Sequence, residues 1–338
     1  AMDLREDLYM KLAGQHDTFK RRLYELSDKL TAEDAVQYSK TTFSRADKEH
    51  VLRRDTLAPA MVFRVGAHTE DLPISMSLAS FRDRDGKART EIYYGVPYES
   101  LHFESTSNGY QAELTGQVSI FDDNYILIAG NYIHENCFAP TKEVMNYGTI
   151  INQKNFTLVP DNYHLVLSLE DTTGHRLGVL RSDFTVNELP ETSLGISDIQ
   201  LSSNIKPTNQ SSQFEKNGYF IVPLPSHTIN KKNPLYVYFE IYNLTRNESG
   251  DTNFQIDYRI RAQQKKRGFF HKLIGGKDAR KPIISLSENR SSRSREQIEH
   301  VALDLNKINS ERVELEVMVT DLNTPKQVSS VVTFKLKG

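Results

Sequence analysis

LYVYFEIYNLTRNESGDTNFQIDYRIR, residues 235–261, decides the fold class. Leu235, Val237, Phe239 and Ile241 alternate with Tyr236, Tyr238, Glu240 and Tyr242, and further on Phe254, Ile256, Tyr258 and Ile260 alternate with polar residues. Neighbouring side chains of an extended strand point to opposite faces, so a period of two places four large apolar groups on one face of each segment. The stretch between them, rich in Asn, Ser, Gly and Asp, has the composition of a turn. The pattern predicts two strands joined as an antiparallel hairpin, one face covered and the Tyr-rich or charged face wet. A slip of one residue would bury Asp257, Arg259 and Arg261 and expose four apolar groups. At about 25 cal/mol per Å² of apolar surface, that reversal costs several kcal/mol, so register is well specified.

The same period governs most of the chain. It recurs in EIYYGV (residues 91–96) and YHLVLSLE (163–170), and runs from about residue 60 almost to the end. Before that the spacing is near four: Leu4, Leu8 and Leu12, then Phe19, Leu23, Leu26 and Leu30, predict helix over residues 3 to about 54. Thr31 ahead of Glu33 and Asp34 is an N-cap signal, and Pro59 closes the segment. Residues 163–186 align without a gap on residues 313–336, an offset of 150. Leu165, Leu167 and Leu169 fall on Leu315, Val317 and Val319; Asp171 falls on Asp321, Phe184 on Phe334 and Val186 on Leu336. Duplication explains this, the alternative being chance similarity of two amphipathic hairpins, since alternation carries little information per residue. The polar run NELPETSLGIS, residues 187–197, marks the boundary between copies. The expected organisation is a mainly β chain: a helical segment over 1–57, then two tandem immunoglobulin- or fibronectin-like β-sandwiches over 58–190 and 191–338, of ordinary domain size.

Composition narrows the function classes. Acidic and basic residues nearly cancel, 44 against 42, which excludes the global basic excess of a typical nucleic-acid binder. The single cysteine, Cys137, forms no internal disulfide, so stability does not depend on an oxidising compartment. No run of about 18 apolar residues exists to span a membrane. Ala1-Met2-Asp3 carries no signal-peptide pattern, so any signal or lipid anchor is expected outside the given sequence. Tryptophan is absent, which counts against stacking of sugar rings on indole, although tyrosine could substitute.

GISDIQLSS, YFIVPLPSHTINKKNPLYVYFEIYNLT and EIYYGVPYESLHF resemble segments of the C-terminal, β-rich part of the bacterial GWxTD-domain proteins. The resemblance covers about residues 60–338 and its motifs are structural. The name-giving Gly-Trp-x-Thr-Asp is missing, and with it every tryptophan. What the resemblance implies is an exported protein of the bacterial envelope with a non-catalytic role, periplasmic or membrane-associated; a cytoplasmic protein is the alternative. It implies no active-site residue.

The chemistry-bearing residues point the same way. His134-Glu135-Asn136-Cys137 is the nearest approach to a metal-ligand cluster, but it lacks a second pair at ligand spacing and reads as a turn after NYILIAGNY. Ser226-His227 lies in a Pro-punctuated stretch without a nucleophile elbow, and Gly275-Gly276 lacks the rest of a phosphate-binding loop. Asp83/Asp85 and Asp122-Asp123 sit among turn formers. Asn155, Asn209, Asn243, Asn247 and Asn289 head glycosylation triplets that matter only in a eukaryotic secretory route. No catalytic residue, metal site or cofactor is therefore expected; a hydrolase would have to draw on His134, His164, His175 or His227.

One stretch departs from the average: KKRGFFHKLIGGKDARK, residues 265–281. Lys265, Lys266, Arg267, Phe269, Phe270, His271, Lys272, Lys277, Arg280 and Lys281 make it a cationic, aromatic excursion between two alternating segments. It reads either as a solvated hairpin tip or as a contact for another envelope protein or an anionic membrane surface. Arg290, Arg293 and Arg295 are candidates to extend it. RNA is disfavoured, because the aromatics do not alternate as stacking platforms on a strand. A carbohydrate- or peptide-binding adhesin module is the competing function.

Overall fold

The computed structural model describes residues 72–263 and 282–338; the helical reading of residues 1–57 lies outside them. In chain order the strands are β1 (Ser75–Arg82), β2 (Ala88–Pro97), β3 (Glu104–Thr106), β4 (Gly109–Phe121), β5 (Leu127–Ala139), β6 (Thr149–Leu158), β7 (Asp161–Asp171) and β8 (Arg176–Val186). They continue as β9 (Gly195–Ile196), β10 (Gln200–Pro207), β11 (Glu215–Lys216), β12 (Tyr219–Pro223), β13 (Thr228–Asn230), β14 (Leu235–Tyr242) and β15 (Thr252–Ala262). β16 (Ile284–Ser292), β17 (Gln297–Leu303), β18 (Arg312–Asp321) and β19 (Lys326–Lys337) complete the chain, and a one-turn helix, α1 (Lys142–Met145), precedes β6. The described residues are thus mainly β, as the alternation predicts.

Contacts divide the described residues into two compact units, the first of residues 72–76, 94–150 and 160–186, the second of residues 77–93, 151–159 and 187–338. In the first, β3, β4, β7 and β8 are neighbours in one sheet, and β5 also pairs with β4. Leu114, Val118 and Ile120 of β4 and Leu165, Leu167 and Leu169 of β7 are buried. Gly116 lies where β4 and β7 leave no space for a side chain: a Cβ there would meet the Ser168 carbonyl oxygen at 2.0 Å.

In the second unit two sheets face each other. One runs β11-β12-β10-β14-β17, with β9 also on β14; the other runs β13-β19-β18-β15-β16. Val237, Phe239 and Ile241 meet Phe254, Ile256, Tyr258, Val317 and Val319 in one core. A third sheet, β1-β2-β6, supplies Ala79, Phe81 and Tyr93, which pack on Ile221 and Tyr238.

This arrangement corrects the hairpin expected over 235–261. β14 pairs with β10 and β17, whereas β15 pairs with β16 and β18, so the two strands lie in different sheets and residues 243–251 form an arch between them. The turn chemistry is real but local: Asn247 N–H donates to Asp251 O at 2.8 Å and Gly250 N–H to Asn247 O at 3.0 Å. The wet face is corrected as well. Tyr238, Glu240 and Tyr242 are buried alongside Val237, Phe239 and Ile241, so β14 is covered on both faces.

The 150-residue offset holds at the level of register. Tyr163 pairs with Phe184 and Asp171 with Arg176 in the β7–β8 hairpin; Val313 pairs with Phe334 and Asp321 with Lys326 in β18–β19. The two aspartates do the same job. Asp171 accepts from His102 N–H at 2.7 Å and Gly174 N–H at 3.1 Å, while Asp321 accepts from Thr245 N–H and Asn323 N–H, both at 2.9 Å. In each hairpin a buried carboxylate closes the turn and ties down an upstream loop, the backbone N–H groups satisfying a charge that burial has taken from water.

Candidate functional site

The densest chemistry among the described residues lies in the second unit, where β2 covers the outer face of β14. Lys216 Nζ donates to Glu91 Oε2 at 2.8 Å and to Gln200 Oε1 at 2.7 Å, and stands 3.7 Å from the Phe81 ring centroid and 4.6 Å from that of Tyr238. Arg89 Nε reaches the other Glu91 oxygen at 3.0 Å, and its guanidinium lies 3.6 Å from Glu240 Oε1. Tyr238 and Asn217 donate to Glu240 Oε1 at 2.8 and 3.1 Å, Tyr242 donates to Oε2 at 2.9 Å, and Tyr93 donates to Glu91 at 2.7 Å. Two cations thus meet two carboxylates. Burial pushes the Lys216 ammonium down to about 8 and, with the neighbouring carboxylates, holds the Tyr93, Tyr238 and Tyr242 hydroxyls above their usual range. Lys216 and Glu91 are themselves buried, so the cluster joins β2 to the sheet below it. Nothing in the sequence singled these residues out.

The ten residues proposed for partner binding, Lys265, Lys266, Arg267, Phe269, Phe270, His271, Lys272, Lys277, Arg280 and Lys281, lie outside the described residues. Their frame is described. β15 and β16 pair over nine residues, from Thr252↔Ser292 to Ile260↔Ile284. Ile283 N–H donates to Ile260 O at 2.7 Å and Gln263 N–H to Arg312 O at 2.9 Å, so the chain leaves and re-enters the sheet on neighbouring strands. The strand face beside that end is charge-compensated: Arg261 contacts Glu316 at 2.8 Å, and Arg259 lies 3.7 Å from Glu316 and 3.3 Å from Asp257. Arg293 and Arg295 lie away from the point where the chain leaves and re-enters the sheet. They follow β16 at its far end, roughly 25 Å along the strand at about 3.3 Å per residue, where Arg293 lies 3.7 Å from Asp251 and Arg295 donates to Leu244 O at 3.2 Å. Arg290, two residues inside that end, pairs with Glu288.

The remaining candidates are dispersed. His134-Glu135-Asn136-Cys137 is inside β5, which corrects the turn assigned to it: His134 and Asn136 are exposed, while Glu135 and Cys137 share the face of buried Ile133 on a long strand paired with β4. His134 meets Glu113 across the strands at 2.9 Å, and burial pushes the Cys137 thiol up to about 12. His164 pairs with Asp183 at 2.6 Å and stacks on Tyr125; His227 Nδ1 lies 3.1 Å from Thr333 O; His175 occupies a turn with φ of 52°. Among the described residues no three His, Cys, Asp or Glu groups come together as a metal site. Asp122 is a turn carboxylate as expected, accepting from Asn124 N–H and Ile126 N–H. Asn243, nominally a glycosylation position, is buried and donates to Pro190 O at 2.8 Å and Ser193 O at 2.9 Å. Those bonds tie the 187–198 segment to the end of β14, and the segment walls a cleft of about 460 Å³ beside β19.

The chain matches no protein-family model and no curated protein. Among solved structures it is similar to a DUF3823 family protein from Bacteroides ovatus, with 12% identity over 70% of this chain and 97% of that one and a TM-score of 0.24. It is also similar to the serine-rich repeat protein Srr2 of Streptococcus agalactiae, with 10% identity, 79% and 93% coverage and a TM-score of 0.23. For the C-terminal domain of the AgI/II polypeptide BspA of the same species the values are 10%, 79% and 100%, and 0.19. Likenesses at these TM-scores carry no argument about function. No helix among the described residues is long and apolar enough to cross a membrane.

Proposed function

We propose that this is a non-catalytic, exported protein of the bacterial envelope that works as an interaction scaffold. In this reading two tandem immunoglobulin- or fibronectin-like sandwiches, related to the C-terminal β part of the GWxTD-domain proteins, hold loops in place. The basic, aromatic stretch 265–281 is the leading contact, for an anionic membrane surface or another envelope protein. The observation that supports it most is the nine-residue β15–β16 pair, which delivers a cation-rich segment to one end of a well-packed sheet whose own flanking charges are already paired.

Co-sedimentation with phosphatidylcholine vesicles containing phosphatidylserine tests this. The full chain should bind in a salt-sensitive way, and the variant Lys265→Glu, Lys266→Glu, Arg267→Glu, Lys272→Glu should lose that binding by at least a hundredfold, each cation near an anionic surface contributing roughly 1 kcal/mol. Equal binding by the variant removes the stretch from the mechanism. The adhesin-like reading, with a peptide as ligand, is favoured by a different observation, the open edge of β19.

A further inference from the structure

β19 offers a binding edge that does not involve the basic stretch. On one side it pairs with β18 along its length; on the other, among the described residues, it pairs only with β13, through residues 335–337. Backbone direction along it can be read from its bonds. Leu336 N–H donates to Glu311 O on the β18 side, whereas Lys335 N–H donates to His227 O, and Lys337 O accepts from Lys231 N–H on the opposite side. Thr333 O also faces that side, 3.1 Å from His227 Nδ1. Alternation carries the pattern upstream, so the N–H and C=O groups of Ser329 and Val331 point away from β18, and no strand among the described residues pairs with them there.

A cleft of about 460 Å³ runs along this open length, in the range of roughly 300–1,000 Å³ typical of ligand sites. Its far wall is the 187–198 segment, with Leu189, Pro190 and Ile196 half-buried, and its near wall includes Val331, 52% exposed. The wall is preformed, because Asn243 holds Pro190 O and Ser193 O. The charged side chains lining it are Glu188 and Asp198, and no cation lines it.

We propose that this cleft takes an extended peptide as an added strand on β19, in line with β13, with a preference for neutral or basic sequences. Unpaired edge groups at alternate residues recognise an extended backbone; the apolar walls take every second side chain, and the carboxylates favour a nearby cation. An open edge of this kind is a hazard unless it is covered or used.

The probe is fluorescein-labelled acetyl-KVTVKVT-amide, with acetyl-EVTVEVT-amide as its acidic counterpart, titrated against the full chain by fluorescence anisotropy. Saturable binding below about 1 mM is expected, weaker for the acidic peptide. Val331→Pro removes an edge N–H that β18 does not use, a change that edge strands tolerate, and should weaken binding at least about tenfold, while Val331→Thr keeps the edge and the affinity. Should Val331→Pro fail to fold, the same peptide N-methylated at alternate residues serves with the unaltered protein and should fail to bind. Equal affinity for the methylated peptide, retained binding in a folded Val331→Pro variant, or no saturable binding of either peptide would overturn the proposal. So would a homodimer that Val331→Pro abolishes, since a second copy would then be the occupant. The Lys265/Lys266/Arg267/Lys272 variant should bind the peptide unchanged; loss of binding there would move the site to the basic stretch and overturn this one.

Discussion

Lys216 shows how a polar face can be interior. In the sequence it is one lysine in FEKNGYF, and Glu91 opens a strand whose alternation looks like any half-wet one. Period-two patterning separates apolar from polar positions, but it does not separate a polar side chain in water from one paired under another sheet. The pairing offsets part of the cost of burial here. Removing one partner should leave the other uncompensated: Lys216→Met and Glu91→Gln should each lose roughly 3 kcal/mol in denaturant unfolding, and the double variant should lose well short of the sum. Additive losses would mean that the two side chains do not act as a pair. The ammonium also predicts a pH dependence. Its folded value, pushed down to about 8 chiefly by burial, lies below the value near 10.4 of an unfolded lysine. Between those two values the unfolded chain holds the proton that the folded one has released, so this group's contribution to stability rises with pH across that window. The stability of the unaltered protein relative to Lys216→Met should therefore increase from about pH 7.5 to 9.5; a constant difference would contradict the assignment.

At the scale of elements, strands were legible and partners were not. Leu235–Tyr242 and Thr252–Ala262 are strands where the alternation of Leu235 to Ile241 and Phe254 to Ile260 puts them, yet they belong to different sheets. A turn-rich connection fixes where a chain reverses, and it is equally compatible with a hairpin and an arch. The duplicated hairpins were legible in register because both copies keep an aspartate at the turn and a phenylalanine near the end of the return strand. Asp171→Ala and Asp321→Ala should each lower the melting temperature, each losing two hydrogen bonds that a buried carboxylate accepts from backbone N–H groups, at roughly 1.5–3 kcal/mol per charged bond. An unchanged melt for either would show that its loop is held by something else. The Ser329–Val331 edge was illegible, since an unpaired strand edge depends on what fails to lie beside it and alternation is silent on neighbours.

For the whole molecule, the sequence carried the mainly β architecture, while the helical reading of 1–57 and the basic stretch 265–281 fall on residues outside the described ones. The deeper organisation of the second unit came from distant segments: residues 77–93 and 151–159 group with 187–338, and no local pattern announces that. Chemistry-bearing side chains, His134, His164, His175 and His227 among them, are spread over separate strands and turns, each held by its own neighbours or backbone. The proposed scaffold takes as its contacts the end of the sheet where β15 leads into residues 264–281, and the edge of β19.

The central claim is that the second unit is three sheets deep with β14 in the middle, so that binding is left to its ends and edges. Native-state hydrogen exchange of the full chain, followed by mass spectrometry, tests it directly. Amides of residues 235–242 should exchange among the slowest in the molecule and those of the edge strand, residues 284–292, much faster, with residues 77–93 also protected. Exchange of residues 235–242 at the rate of the edge strand, or rapid exchange throughout residues 77–93, would contradict the third layer and the scaffold built on it.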